Sequence, residues 1–73
     1  MGSRLKNEKL LQQISIQLKR HREKKELTQE DVYNDTGIHI SRIETGKVNI
    51  TVSTLAALCD YFDLNLSEFF EKL

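Results

Sequence analysis

The residues best suited to chemistry lie in one short segment, residues 39–45, where polar side chains alternate with isoleucines. Ile40 and Ile43 are three residues apart and predict the apolar edge of a short helix. Arg42 points away from that edge, and its guanidinium group can donate hydrogen bonds to the O6 and N7 atoms of a guanine or to a phosphate. The segment offers four polar candidates for such contacts: His39, Ser41, Arg42 and Thr45. These side chains favour recognition by hydrogen bonding over catalysis.

Residue types that perform catalysis or bind metals are not arranged in a recognisable pattern. The sequence has no glycine-rich phosphate loop and no nucleophile spaced from a base as in known motifs. Cys59, His21 and His39 are far apart in the sequence, which predicts no metal site, and a single cysteine excludes an intrachain disulfide. No apolar run approaches ~18 residues, the length that spans a membrane. We expect a protein that is not an enzyme, binds no cofactor or membrane, and works in a reducing cytoplasm.

Basic and acidic side chains are unevenly distributed along the chain. The formal net charge is zero, which argues against a protein that binds polyanions over its whole surface. Residues 1–25 carry eight basic and two acidic side chains, whereas residues 26–73 carry three basic and nine acidic ones. Such asymmetry indicates a nucleic acid or an acidic membrane surface as partner, although a solvated basic helix would give the same pattern.

Apolar spacing predicts an all-α domain. Leu11, Ile14 and Leu18 recur at intervals of three and four residues and predict a first helix over residues 7 to 25. Residues 1–13 are interpreted as an N-terminal extension that continues into this helix, and residues 14–73 as one compact bundle. Thr28 is typical of the N-cap of a second helix, because its hydroxyl can accept a hydrogen bond from an early backbone amide.

Glycines and capping residues divide the remainder into short helices. Gly37 suits the left-handed position that ends a helix in a Schellman motif, with Ile38 as the apolar residue that follows. Gly46 is expected to end the third helix. The remaining expectations are inward-facing Val32 and Tyr33, a fourth helix capped by Thr51 and extending to Phe62 with a buried stripe of Leu55, Leu58, Cys59 and Phe62, and a fifth helix capped by Ser67.

Three stretches, "LKRHREKKELTQEDV", "ISRIETGKVNI" and "VSTLAALCDYFDLNLSEFF", occur in this order. Over about residues 14 to 70 the chain therefore resembles the phage repressor and Cro type of helix-turn-helix transcriptional regulator, also called the xenobiotic-response-element family. The resemblance implies a compact lambda repressor-like bundle of five helices. Its second helix would brace the DNA backbone, and its third would enter the major groove, usually from a symmetric dimer.

The resemblance also assigns roles to individual residues. Gln29 matches a glutamine that touches a phosphate from the start of the second helix. Arg22 and Glu44 match an internal ion pair that ties the first helix to the end of the third, and Lys47 and Asn49 match a loop that meets the sugar-phosphate backbone. The complete set of expected DNA-binding residues is Thr28, Gln29, His39, Ser41, Arg42, Thr45, Lys47 and Asn49.

The helix-turn-helix segment is shorter than the usual family pattern. Gln29 and Glu44 are 15 residues apart, and the usual pattern is longer by about one helical turn. In one placement, Gly37 and Ile38 form the turn and the third helix loses its first turn; the helix-ending chemistry of "DTGI" favours this. In the other, Thr36 caps the third helix and the second helix is cut short. In both, the third helix is poor in hydrogen-bond donors.

The C-terminal segment carries more apolar side chains than a short terminal helix needs to close its own core. These residues are Leu66, Phe69, Phe70 and Leu73. They favour a homodimer interface, although packing within one chain would explain them equally well. Leu5, Leu10 and Leu11 precede the part of the chain that resembles the family and could serve the same purpose.

These observations favour a sequence-specific DNA-binding transcriptional regulator, expected to be a repressor that binds a two-fold operator on double-stranded DNA as a homodimer. An alternative keeps the fold and changes the partner. The bundle could be a protein-interaction module, such as an antitoxin or an adaptor, that binds another protein and has weak or no affinity for DNA. The neutral net charge, the donor-poor third helix and the acidic second half of the chain favour this alternative.

Overall fold

The computed structural model describes residues 6–73. This part of the chain contains five α-helices and no strand, which confirms the predicted all-α, five-helix class. No helix within it combines the length and the apolar character needed to cross a bilayer. The helices are α1 (Glu8–Lys24), α2 (Gln29–Thr36), α3 (Ile40–Ile43), α4 (Val52–Tyr61) and α5 (Leu66–Glu71).

One apolar core receives side chains from all five helices. Leu18 of α1, Val32 of α2, Ile40 of α3 and Leu58 of α4 are completely buried there, together with Phe69 of α5. The predicted α4 stripe of Leu55, Leu58, Cys59 and Phe62 is confirmed. Burial also raises the pKa of the Cys59 thiol, as expected for a small apolar core residue rather than a reactive thiolate.

Capping residues fix where the helices begin. Thr28 and Thr51 are the N-caps of α2 and α4, as predicted, and each side chain accepts a hydrogen bond from the backbone amide three residues later. The prediction for α5 was wrong by two residues, because its N-cap is Asn65 rather than Ser67. Asn65 and Glu68 form a reciprocal capping box, and the Ser67 hydroxyl donates to the Asn65 side chain.

The end of α2 decides between the two placements of the missing turn. Gly37 lies in the left-handed region with φ of 76° and donates its N–H to the Tyr33 carbonyl at 2.7 Å. The predicted Schellman bond is absent, because the Ile38 amide instead donates to the Thr36 hydroxyl at 3.0 Å. Thr36 therefore closes α2 and does not cap α3. The first placement is correct, and α3 is a single turn of four residues.

Gly46 ends this turn in a crowded place. It also has φ of 76°, and a Cβ atom at this position would lie 3.2 Å from the Ser15 hydroxyl and 3.3 Å from the Gln12 side chain. A Cβ atom on Gly37 would meet nothing within 4 Å. The two glycines thus share a backbone conformation and differ in their surroundings.

Alanine substitutions should separate these effects. Gly37→Ala should lower the free energy of unfolding by about 1–2 kcal/mol, the cost of placing a side chain in the left-handed region. Gly46→Ala should cost more, because the new methyl group also displaces Gln12 or Ser15. Urea denaturation of both variants measures the difference. Equal losses would show that the close approach of Gly46 to α1 carries no energetic weight.

Candidate nucleic-acid interface

The centre of the site is a buried ion pair between Arg22 of α1 and Glu44, which directly follows α3. Arg22 is only 8% exposed. Its Nε atom donates to Glu44 Oε2 at 2.7 Å and its Nη2 atom to Glu44 Oε1 at 3.0 Å, while Nη1 donates to the Leu27 carbonyl at 2.7 Å. The hydrogen bonds to Glu44 raise the pKa of Arg22, so the guanidinium stays charged. The structure thus brings together the two residues paired by resemblance.

Gln29 extends this network to α2. Its Nε2 atom donates to Glu44 Oε1 at 2.8 Å, and its side chain is exposed. The first residue of α2 is therefore tied to the last turn of α3. An amide nitrogen carries two N–H donors, so the second can reach a phosphate while the first holds Glu44.

The outer face of α3 presents Ser41 and Arg42 to solvent. Ile40 is 0% exposed and Ile43 is 7% exposed, so the opposite face is fixed in the core. Both polar residues are exposed, and no ion pair engages Arg42 within residues 6–73. The sequence-predicted reading residue thus lies on a helix whose rotation about its own axis is fixed by burial.

Thr45 and Lys47 occupy the turn after α3. The Thr45 hydroxyl donates to the Arg42 carbonyl at 2.6 Å and accepts from the Lys47 amide at 3.2 Å, so it closes the helix end and shapes the turn. The exposed Lys47 side chain lines a cleft of about 220 Å³ with Lys6 and Gln12. Lys6 was missed as a neighbour of the site, because its proximity to Lys47 arises only from folding.

Thr28 and Asn49 lie at the two edges of this surface. Thr28 acts first as a cap, since its amide donates to Asp31 at 2.8 Å and its hydroxyl accepts in return. This capping box lowers the pKa of Asp31. Asn49 is exposed and lines a groove beside Val52, at the start of α4.

The His39 ring packs against another aromatic side chain. It stacks on Tyr33, with ring centroids 4.5 Å apart and an interplanar angle of 30°. The prediction that Tyr33 faces inward was wrong, because Tyr33 is 44% exposed. Tyr33 is four residues after Gln29 and therefore lies on the same side of α2, a spacing that could have identified it as a site residue.

The predicted dimer residues of α5 separate into different environments. Phe69 is 1% exposed within a single chain, so it belongs to the core and is withdrawn from the predicted interface. Leu66 and Leu73 are partly buried against the core. Phe70 is 45% exposed and lines an apolar groove of about 160 Å³ with Leu10 and Val52.

The sequence matches the family model of the helix-turn-helix, of the Cro/C1 type, over residues 18–69. The match covers every element just described except the start of α1 and the end of α5, and the chain belongs to this family of DNA-binding regulatory domains, which are not typically enzymes. No curated protein and no solved structure matches the chain significantly. The chain is thus a DNA-binding helix-turn-helix regulator with a lambda repressor-like fold.

Removal of Glu44 should be far more costly than removal of an exposed carboxylate. Glu44→Ala leaves the buried Arg22 charge uncompensated and should lower the free energy of unfolding by about 3 kcal/mol. Glu71→Ala, at an exposed position of α5, is the matched control and should stay within about 0.5 kcal/mol of the wild type.

A double replacement distinguishes a lost ion pair from lost packing. Arg22→Met combined with Glu44→Leu removes both charges and should be much less destabilising than Glu44→Ala alone. Urea denaturation measures all three variants. A Glu44→Ala variant as stable as the Glu71→Ala control would contradict this account of the pair.

Proposed function

We propose that this regulator is a repressor that binds a two-fold DNA operator as a homodimer, with Arg42 as its principal base-reading residue. The observation that carries the proposal is the exposure of Ser41 and Arg42 on a helix whose inner face is buried in the core. A helix fixed in this way can place an arginine fork against a guanine edge without first being ordered.

Contacts with the DNA backbone would flank the reading residue. Gln29 lies beside the end of α3, and Lys47 and Lys6 lie beside the turn that follows it. Cationic and amide donors in these positions fix the register of a protein on the duplex, while base contacts supply specificity. Repression requires only that the bound protein occupy its site, so this arrangement is sufficient for it.

The second protomer of the proposed dimer would cover the groove around Phe70. Phe70 and Val52 are 45% and 73% exposed, and Leu10 adds a further apolar side chain to the same groove. A contiguous exposed apolar patch on so small a domain favours association. Two copies would give the reading helices the two-fold relation that a palindromic operator requires.

Binding to the DNA upstream of the chain's own coding region tests the reading role. The wild type should bind this DNA more tightly than a random duplex, and Arg42→Ala should lose about tenfold or more of that preference, since a bidentate arginine–guanine contact discriminates by about 1–3 kcal/mol. Lys47→Ala should weaken binding to both duplexes equally and reduce the slope of log K against log salt by about 0.9.

Lys72→Ala is the matched control, because Lys72 is an exposed cation after α5 and lies away from α3. It should leave both affinities unchanged. Arg42→Ala with unchanged affinity and preference would remove Arg42 as the reader. Absence of wild-type binding even at low salt would reject the repressor and favour an antitoxin or adaptor that binds a protein partner.

Sedimentation tests the dimer. The wild type should sediment as a dimer at micromolar concentration and Phe70→Glu as a folded monomer, because a carboxylate would be buried without a partner in the apolar contact. Ile16→Glu is the matched control, since Ile16 is 54% exposed but does not line the groove. A monomeric wild type would refute the homodimer.

A further inference from the structure

The aromatic stack of Tyr33 and His39 lies on the same surface as Arg42, the proposed base-reading residue. On α2, Gln29 contacts Glu44 after the end of α3, and Tyr33 contacts His39 at the start of α3. Gln29 and Tyr33 therefore lie alongside the two ends of α3, the single-turn helix that carries Arg42. Tyr33 occupies the end where a longer third helix would have an additional turn.

Nothing in the core accounts for a tyrosine at this position. Val32, the preceding residue, is 0% exposed and supplies the contact of α2 with the core, whereas Tyr33 is 44% exposed. Within residues 6–73 the Tyr33 hydroxyl has no hydrogen-bond partner. Tyr61 differs, since its hydroxyl donates to Asp35 at 2.5 Å and its pKa is raised to about 12 by that bond.

The stack gives Tyr33 a defined orientation without using its polar group. Ring centroids 4.5 Å apart at 30° restrict the rotation of both side chains, and the His39 backbone leads directly into the reader. A tyrosine hydroxyl is one of the neutral groups that donate hydrogen bonds to DNA phosphates. An oriented hydroxyl with no partner among the described residues is therefore available for such a bond at little entropic cost.

We propose that Tyr33 is a further DNA-contacting residue, whose hydroxyl donates to a backbone phosphate while its ring, stacked on His39, replaces the missing first turn of the third helix. This inference rests on the proposed function and names a contact at that site. Gln29 and Tyr33 then contact the phosphate backbone on either side of α3, and Arg42 contacts the bases between these two backbone contacts.

A single-atom change tests the contact. Tyr33→Phe keeps the stack and removes the hydroxyl, so its affinity for a random-sequence duplex should fall about tenfold, equivalent to about 1.4 kcal/mol for a hydrogen bond to a charged acceptor. The salt dependence should remain that of the wild type, because a neutral donor releases no counterion. Lys47→Ala, in contrast, should change that slope.

Three further measurements make the outcome decisive. The melting temperature of Tyr33→Phe should equal that of the wild type, since the hydroxyl makes no hydrogen bond to any residue from 6 to 73. Tyr61→Phe, the matched control, removes a hydroxyl bonded to Asp35 and should leave DNA affinity unchanged. Tyr33→Ala should bind more weakly than Tyr33→Phe, because His39 loses the ring against which it stacks.

The results separate this contact from the proposed function. If the wild type binds DNA and Tyr33→Phe binds equally well, the phosphate contact is wrong and the regulator stands. A loss confined to Tyr33→Ala would leave Tyr33 as a support for His39 and overturn the contact in the same way. A wild type that binds no duplex at low salt would reject the proposed function, and this inference with it.

Discussion

The arrangement of the helices around α3 depends on the guanidinium group of Arg22. Its three hydrogen bonds reach the Leu27 carbonyl before α2 and both oxygens of Glu44 after α3, and Glu44 in turn accepts from Gln29. One buried cation thereby fixes α1 relative to both helices of the helix-turn-helix. Removing the two charges from water has a large cost, so the pair contributes orientation more than stability. A bidentate bond specifies direction as well as distance, which an apolar contact at the same place would not.

This constraint matters because the third helix is too short to define itself. A single turn has an unfavourable free energy in isolation, since nucleating a helix fixes several backbone dihedrals for one hydrogen bond. Here Ile40 and Ile43 hold its inner face in the core, and Glu44 holds its last turn against Arg22. The Tyr33–His39 stack holds its beginning. Packing and side-chain bonds thus replace the length from which a longer helix would derive its rigidity.

Local sequence patterns predicted the helices, but they failed where the local structure depends on how residues are placed in the folded protein. Periodicity and capping preferences located all five helices, and the Asn65 cap was also readable, since Glu68 follows it at the spacing of a capping box. The inward position of Tyr33 was wrong because Val32 supplies the contact of α2 with the core, and the next residue, about 100° further around the helix, is 44% exposed. The Schellman ending failed because the Thr36 hydroxyl competes for the Ile38 amide.

Contacts between residues distant in the sequence could not be predicted from local spacing. The partnership of Arg22 and Glu44, 22 residues apart, followed from family resemblance and not from spacing. Tyr33 was missed as a site residue because the prediction relied on the resemblance. The resemblance assigns roles only to positions of a family member whose third helix has its first turn, and such a protein has no side chain that compensates for a missing turn. Its spacing of four residues from Gln29 was the available signal.

The folded structure shows where the basic side chains near the end of α1 lie. The side chains of Arg20, Lys24 and Lys72 line a cleft of about 510 Å³ together with His21. Desolvation and the charges of these three cations lower the pKa of His21. A Cβ atom on Gly46, after the end of α3, would lie against Gln12 and Ser15. These two residues lie on the opposite side of α1 from His21 and Lys24, about 180° around the helix axis.

Arg20 and Lys24 of α1 are therefore directed away from the proposed DNA surface, whereas Lys19, four residues after Ser15 and seven after Gln12, lies on the side of α1 that faces it. Cations that face away from the duplex make no phosphate contacts and so do not add to sequence-independent affinity. In the proposed homodimer, the second protomer would bind the same duplex at a high effective concentration and would thereby raise the affinity. In that dimer, the apolar groove at Phe70 would hold together two protomers, each of which presents an α3 of only four residues to the DNA.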